Sequence, residues 1–196
     1  MITARTVENF RPIRQAGRMN WKILFALLPA LALLIGCGKS TTTATTATPA
    51  AALSLEDLLP KHAQPKLTTM KISLGAESRD AELALSQPEE MTGMMYRTNI
   101  QETDAMLFVL PYTQQANFWM KNCPESISAA YISTDGVIQE VHHLEQNDTN
   151  GVMSATDNIR FVLETREGWF TRHNIAPGTV IRTDKGSLTD TFLRGR

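Results

Sequence analysis

Along the second two thirds of the chain the apolar positions change period several times, and each change marks an element. Met70, Ile72 and Leu74 alternate with Lys71 and Ser73, the period of a half-buried strand. Gly75 opens a turn, and Ala81, Leu83 and Leu85 predict a second strand pairing back onto the first. Ser86-Gln87-Pro88-Glu89 has the form of a helix start, with Ser86 as cap and Glu89 reaching back to it, and Gly93 ends that helix early. Met106 to Leu110 is a continuous apolar run that suits a strand buried on both faces, ended by Pro111. Phe118-Trp119-Met120 is a further apolar block. Ile127–Ser133 and Val137–Leu144 flank Asp135-Gly136, the strongest hairpin signal in the chain. Glu145 to Asn158 is polar and contains Gly151, which predicts an exposed loop. Ile159–Leu163 reads as another strand, and Glu167–Asn174 as a short helix turning Trp169 and Phe170 inward. Pro177-Gly178 then turns the chain into a closing strand at Thr179–Arg182.

About seven short strands with few helices predict a mainly β domain, a compact β sandwich or partly closed barrel with two or three short helices. The helices are too few and too short for a parallel sheet built from βαβ units. There is no internal repeat.

The first third is organised differently. Met19-Asn20-Trp21-Lys22 is short and positive, and Ile23 to Ile35 is a nearly unbroken apolar run of 13 residues. A membrane-spanning helix needs about 20 such residues, so the run fits the apolar region of a secretory signal. It ends Leu34-Ile35-Gly36-Cys37, which resembles the lipobox of bacterial lipoproteins. That resemblance implies cleavage before Cys37 and lipidation of its sulfur, with several acyl chains at ~0.8 kcal/mol per buried methylene making a stable anchor. Residues 1–18 carry Arg5, Arg11, Arg14 and Arg18 without apolar periodicity, and Met19 is an alternative true start. From Thr41 to Ala52 the chain is almost all Thr and Ala, a stretch that cannot bury a core and reads as a tether. Ser54 with Asp57 predicts a short helix that stops before Pro60. The expected organisation is a signal peptide over 1–36, a lipidated cysteine and tether with a short helix over 37–64, and a β domain over 65–196.

Composition changes this picture little. Hydrophobic residues are 42% and charged residues 20%, and the formal net charge is −1, so there is no basic field to attract nucleic acid. The two cysteines are Cys37 and Cys123. With Cys37 lipidated, Cys123 stands alone and the fold relies on its apolar core.

Four blocks in order carry a family resemblance: Thr92-Gly93-Met94-Met95-Tyr96-Arg97, Asp104-Ala105-Met106-Leu107-Phe108-Val109, Phe118-Trp119-Met120-Lys121-Asn122, and Phe161-Val162-Leu163-Glu164 with Gly168 and Ile175-Ala176-Pro177-Gly178. Over about Lys71 to Arg182 the chain resembles the DUF192 family, also called UPF0127. The resemblance implies a compact, mainly β domain, often exported, and no established reaction. Many members carry an Asp where this chain has Ser128, and Gly-Asp where it has Gly178-Thr179. A mechanism needing those two carboxylates does not transfer.

Candidate chemistry is sparse. If Phe118–Asn122 is a strand, Phe118, Met120 and Asn122 share one face, while Trp119 and Lys121 share the other. An aromatic ring beside a cation suits a sugar or an anion; the competing reading puts Trp119 in the core with the Lys121 stem covering apolar surface. Arg97 is placed to pair with Glu164, Asp104 or a ligand carboxylate, or else to fix the fold. Glu164 ends an apolar strand, where a carboxylate is either a base with a raised pKa or simply paired. His142 and His143 lie near Glu140 and Glu145 but alternate between faces, so no metal or other cofactor is expected. Cys123 is a nucleophile only if His142, His143 or His173 is brought beside it in space, and otherwise a small buried cysteine.

Three readings follow. The leading one is an exported, lipid-anchored envelope module without catalysis, binding a small polar or glycan-like ligand or a protein partner near Arg97, Trp119, Lys121, Asn122 and Glu164. The second is an envelope hydrolase using Glu164 or Asp104 with Lys121 or Arg97. The third is a purely structural envelope protein. The expected address is the periplasmic face or the cell surface. Gly38 in place of Asp after Cys37 tilts the choice toward the outer membrane.

Overall fold

The structure, a computed structural model, describes residues 54–194; the expected signal peptide over 1–36, Cys37 and the Thr/Ala-rich stretch to residue 53 lie outside the described residues. The elements run α1 (Leu55–Leu58), β1 (Thr69–Leu74), β2 (Glu77–Ala84), α2 (Gln87–Thr92), β3 (Ala105–Gln114), β4 (Asn117–Phe118), β5 (Ile127–Ser133), β6 (Ile138–Leu144), β7 (Val152–Met153), β8 (Ile159–Arg166), α3 (Trp169–Arg172), β9 (Ile181–Thr183), β10 (Gly186–Ser187) and α4 (Leu188–Phe192). The protein is mainly β, as its strand periodicity predicts.

Eight strands form one curled sheet in the order β10-β9-β1-β2-β3-β8-β5-β6. Every ladder is antiparallel except β2–β3, where Glu82, Leu83 and Ala84 run beside Met106, Leu107 and Phe108 in parallel. A parallel pair requires a crossover, and residues 85–104, containing α2, supply it. The sheet curls into a half-barrel whose two sides touch at one end. Ile138 N–H donates to Thr179 O (2.9 Å), Gly178 N–H to Ile138 O (2.8 Å), and Ile181 N–H to Gly136 O (2.8 Å). Gly136, in the Asp135-Gly136 turn, is the pivot of this seam. Its φ is +79°, and a Cβ there would sit 3.0 Å from Ile181 O, so both backbone angle and space call for glycine.

Alternation along the central strands sends side chains to two separate cores. Leu107 and Val109 of β3, Ala130 and Ile132 of β5, and Phe161 and Leu163 of β8 point to the inner face. There they meet Trp169, Phe170, Leu188 and Phe192 from the C-terminal helices. Met106, Phe108, Ala129, Tyr131 and Val162 point to the outer face, where Met94, Met95, Met120, Cys123 and Leu59 cover them.

The local signals fold as their chemistry dictates. Glu89 closes a capping box on Ser86, accepting from the N–H groups of Leu85 and Ser86 at 2.9 Å each. Gly93 ends α2 at φ +45°. Ser54 and Asp57 cap α1 reciprocally.

Some expectations need correction. Pro111 does not end β3, which continues to Gln114 with its ladder to β8 irregular between Val109 and Gln114; a proline lacking its N–H is tolerated at such a break. Phe118–Asn122 is not a strand: only Asn117 and Phe118 pair, with Val152 and Met153 of β7 in the stretch expected to be an exposed loop. Trp119 and Met120 leave the ladder, and Lys121-Asn122 forms a turn with Asn122 at φ +59°. The proposed division of faces within that block therefore fails. Helix α4 and strand β10 were not anticipated, and the helices number four among the described residues.

Residues 59–68 form a strap across the outer face. Leu59 is buried, Tyr96 Oη donates to Pro60 O (3.1 Å), and Gln64 Nε2 donates to Gly93 O (2.9 Å).

Candidate functional site

Strand register aligns one row of outer-face residues across five strands: Glu82, Met106, Glu164, Ala129 and His142. Glu164 stands in the middle of that row, only 4% exposed. Above it lies a small, partly open cavity of about 40 Å³, bounded by Gly93, Met94 and Met95 from one sequence block, Phe108 from the second, Phe118 and Trp119 from the third, and Glu164 from the fourth. Cys123 also faces this cavity. All four blocks singled out in the sequence thus meet at one point. The space suits a water or a single ion, not an organic substrate.

The Glu164 Oε2 atom is fully buried and has no hydrogen-bond partner. Burial pushes its carboxyl up to about 8, opposed weakly by the charge of Arg97. Burial likewise raises the Cys123 thiol to about 12, with Glu164 adding to the effect. That thiol donates to Lys121 O at 3.6 Å. A thiol held so far above neutrality is a poor nucleophile.

Arg97 does not pair with Glu164 or Asp104. Its guanidinium forms a two-pronged pair with Glu82, Nη1 to Oε1 at 2.6 Å and Nη2 to Oε2 at 2.9 Å. Glu82 Oε2 also accepts from Leu67 N–H at 2.7 Å, fastening the strap. Burial alone would raise Glu82, but the Arg97 and Leu67 hydrogen bonds outweigh it and hold the carboxyl below its ordinary value. The hydrogen bonds to Glu82 raise Arg97 in turn.

Lys121 forms an ion pair with Glu56 of α1, so this cation is engaged by the protein's own chain. Asn122 contributes its backbone carbonyl, which accepts from Tyr96 N–H at 2.7 Å and ties the third block to the first. Trp119 is half-buried against the outer core. Of the five residues expected to form a binding patch, Trp119 and Glu164 share the cavity, Arg97 and Asn122 brace its walls, and Lys121 faces the N-terminal segment.

The histidines are paired locally: His142 with Glu140 (2.8 Å), and His143 with Glu145 (3.0 Å) and Glu167 (3.2 Å). Among the described residues no group of three or more His, Cys, Asp or Glu side chains is placed to hold a metal ion. Ser128, where many relatives carry an acid, accepts from Gly168 N–H at 2.9 Å and anchors the turn into α3. Asp104 accepts from Gln101 N–H at 2.8 Å.

Sequence reasoning missed a second place. Arg79 of β2 falls in the same alternation as Ala81 and Leu83, so it points inward, and it is only 9% exposed. Its guanidinium lies 3.9 Å above the Trp169 ring, whose stacked partner is His173 at 4.4 Å. One guanidinium nitrogen, Nη2, donates to Glu102 O; Nε and Nη1 are buried without partners. Burial pulls the Arg79 pKa down, and Glu102, Asp104 and Glu77 oppose it. Arg79, Trp169 and His173 line an open cleft of about 480 Å³ that also exposes Lys66, Asp80 and Asp104. His173 is itself held between Glu77 (3.2 Å) and Glu102 (3.1 Å). The signal for this site was legible: an arginine in the inward phase of β2, in step with Ala81 and Leu83.

The DUF192 family model, described as "Uncharacterized ACR", matches residues 69–183. Those bounds run from the start of β1 to the end of β9, leaving out the strap, β10 and α4. No curated protein matches the chain. A crystal structure from Sinorhizobium meliloti 1021, carrying a provisional transcription-regulator label, is 24% identical. The match covers 62% of this chain and 98% of that one, with a TM-score of 0.58. A protein of unknown function from Novosphingobium aromaticivorans DSM 12444 is 23% identical, covering 74% of this chain and 99% of its own, with a TM-score of 0.57. At these identities the likeness speaks for the fold alone.

Two predictions follow from the outer face. Arg97→Met leaves Glu82 buried and unpaired, and should cost about 3–5 kcal/mol in urea denaturation. The double variant Glu82→Leu/Arg97→Met should recover most of that loss, and strictly additive losses would contradict the pairing. Glu164 binds its proton more tightly folded than unfolded, so its contribution is full below the ordinary carboxylate value of 4.5 and is lost as pH rises through about 8. Stability should fall across that window by on the order of a few kcal/mol. Glu164→Gln should flatten the profile; an unchanged slope would place the titrating group elsewhere.

Proposed function

The chain belongs to the DUF192 family, and from that premise we propose that it is an envelope-tethered binding module without catalysis, whose ligand is a small zwitterion such as an amino acid or short peptide. The observation that carries this reading is the buried Arg79 guanidinium with two unpartnered nitrogens, in a cleft of about 480 Å³. That size falls within the ordinary range for small-ligand sites. A guanidinium is the natural partner of a carboxylate. The cleft also carries Asp80 and Asp104, so a ligand with an ammonium group matches its other sign of charge. The Trp169 ring already has Arg79 and His173 against it, which disfavours sugar stacking there. The hydrolase alternative finds less support: Arg97 and Lys121 are engaged by Glu82 and Glu56, and the Glu164 cavity is too small for a substrate.

The tether reading rests on Leu34-Ile35-Gly36-Cys37 and the Thr/Ala-rich stretch after it. Radiolabelled palmitate should be incorporated on expression in a bacterial host and lost in Cys37→Ala; label retained in that variant would refute the anchor.

For the cleft, calorimetric titration with a panel of amino acids and dipeptides should find a binder whose affinity drops at least tenfold in Arg79→Met. The variant's own melting temperature should hold or rise, because it removes a buried charge with unmet hydrogen bonds. A ligand at 100 times its dissociation constant adds about 2.7 kcal/mol to stability. No binder in the panel, or one indifferent to Arg79→Met, would sink the proposal.

A further inference from the structure

The outer-face cavity is lined by an unusual set of residues. Met94 and Met95, each 3% exposed, and Cys123, 6% exposed, all border a space of about 40 Å³. Glu164 adds a carboxyl oxygen that has no partner in the protein. Ordinary core packing explains methionines filling a gap. It does not explain a carboxyl placed among them with an oxygen unsatisfied, because such an atom is costly unless something occupies the space beside it.

We infer that this cavity is a binding site for one soft monovalent metal ion of the copper(I) class, held by the sulfurs of Met94, Met95 and Cys123 beside Glu164. Thioether and thiolate sulfur favour such ions over hard cations, which prefer oxygen. Binding breaks the Cys123 S–H bond, forms a metal–sulfur bond and releases one proton to water; no electron moves, and the thiolate balances the single positive charge of the ion. Two thioethers beside a single thiolate suit a soft monovalent ion.

The protein also offers an entrance. Met91, Phe118 and Trp119 line both the cavity and a surface groove of about 330 Å³ next to it. Met91 is 39% exposed, placing a further thioether at the mouth. The inference uses different residues from the Arg79 cleft and does not depend on it.

The test uses the full chain in detergent carrying Cys37→Ser, so that Cys123 is the only thiol. Silver(I), which does not change oxidation state, is titrated first; copper(I) is then competed anaerobically against bicinchoninate. One ion should bind per chain, with release of one proton. Affinity should fall at least tenfold in Cys123→Ala, and also in Met94→Leu/Met95→Leu. The latter keeps core volume and so should keep the fold, which circular dichroism checks. X-ray absorption of the copper(I) form should show sulfur neighbours. Absence of binding, affinity unchanged in the folded double methionine variant, or zinc(II) bound as tightly as silver(I) would each overturn the site.

Discussion

The structure depends on one constraint: its central strands are apolar on both faces, so a single sheet must be covered twice. β3, β8 and β5 each send alternate residues into two cores. The inner face is covered by the sheet's own curl and by α3 and α4. The outer face meets only the small β4–β7 ribbon, through Phe118 and Val152. The rest of its cover comes from the crossover between β2 and β3, from the irregular segment after β4, and from the strap. The one parallel ladder serves this cover, because a parallel pair needs a crossover and here the crossover lies across the outer face.

That arrangement explains where the charges sit. Loops covering a sheet bring polar groups inward with them, and each must find a partner. Glu82 does so with Arg97 and Leu67, and the pair binds sheet, crossover and strap together. Glu164, two strands along the same row, has no equivalent partner, which is why burial raises its pKa while Glu82 is held low. Two carboxyls on one face of one sheet are thus set to opposite protonation states at neutral pH by the presence or absence of a guanidinium.

Much of this was legible in the residues. The capping box at Ser86, the turn at Asp135-Gly136 and the alternation of Met70, Ile72 and Leu74 are local signals, and local energetics decide them. The meeting of the four family blocks around Glu164 was anticipated only as a list of residues. Their spatial convergence is set by strand order, which periodicity does not encode. The partners of Arg97 and Lys121 were out of reach for the same reason: Glu82 and Glu56 are distant in sequence and reach them through the register of β2 and the path of the strap. The Phe118–Asn122 block misled because its apolar residues imitate a strand while being held by loop contacts to the outer core. Arg79 was overlooked although its phase with Ala81 and Leu83 pointed it inward.

The ladder joining β1 to β9 pairs Ile72 with Thr183, so the first strand of the barrel is completed by nearly the last. A chain made from its amino terminus completes β1 well before β9. During that interval one edge of β1 carries open backbone groups, and the half-built sheet presents an adhesive border to any other extended chain nearby. A protein of this topology is most exposed to mispairing while it is being made. The same logic makes its carboxyl-terminal strands a closing clasp, and a chain cut short before Ile181 would leave that border permanently open.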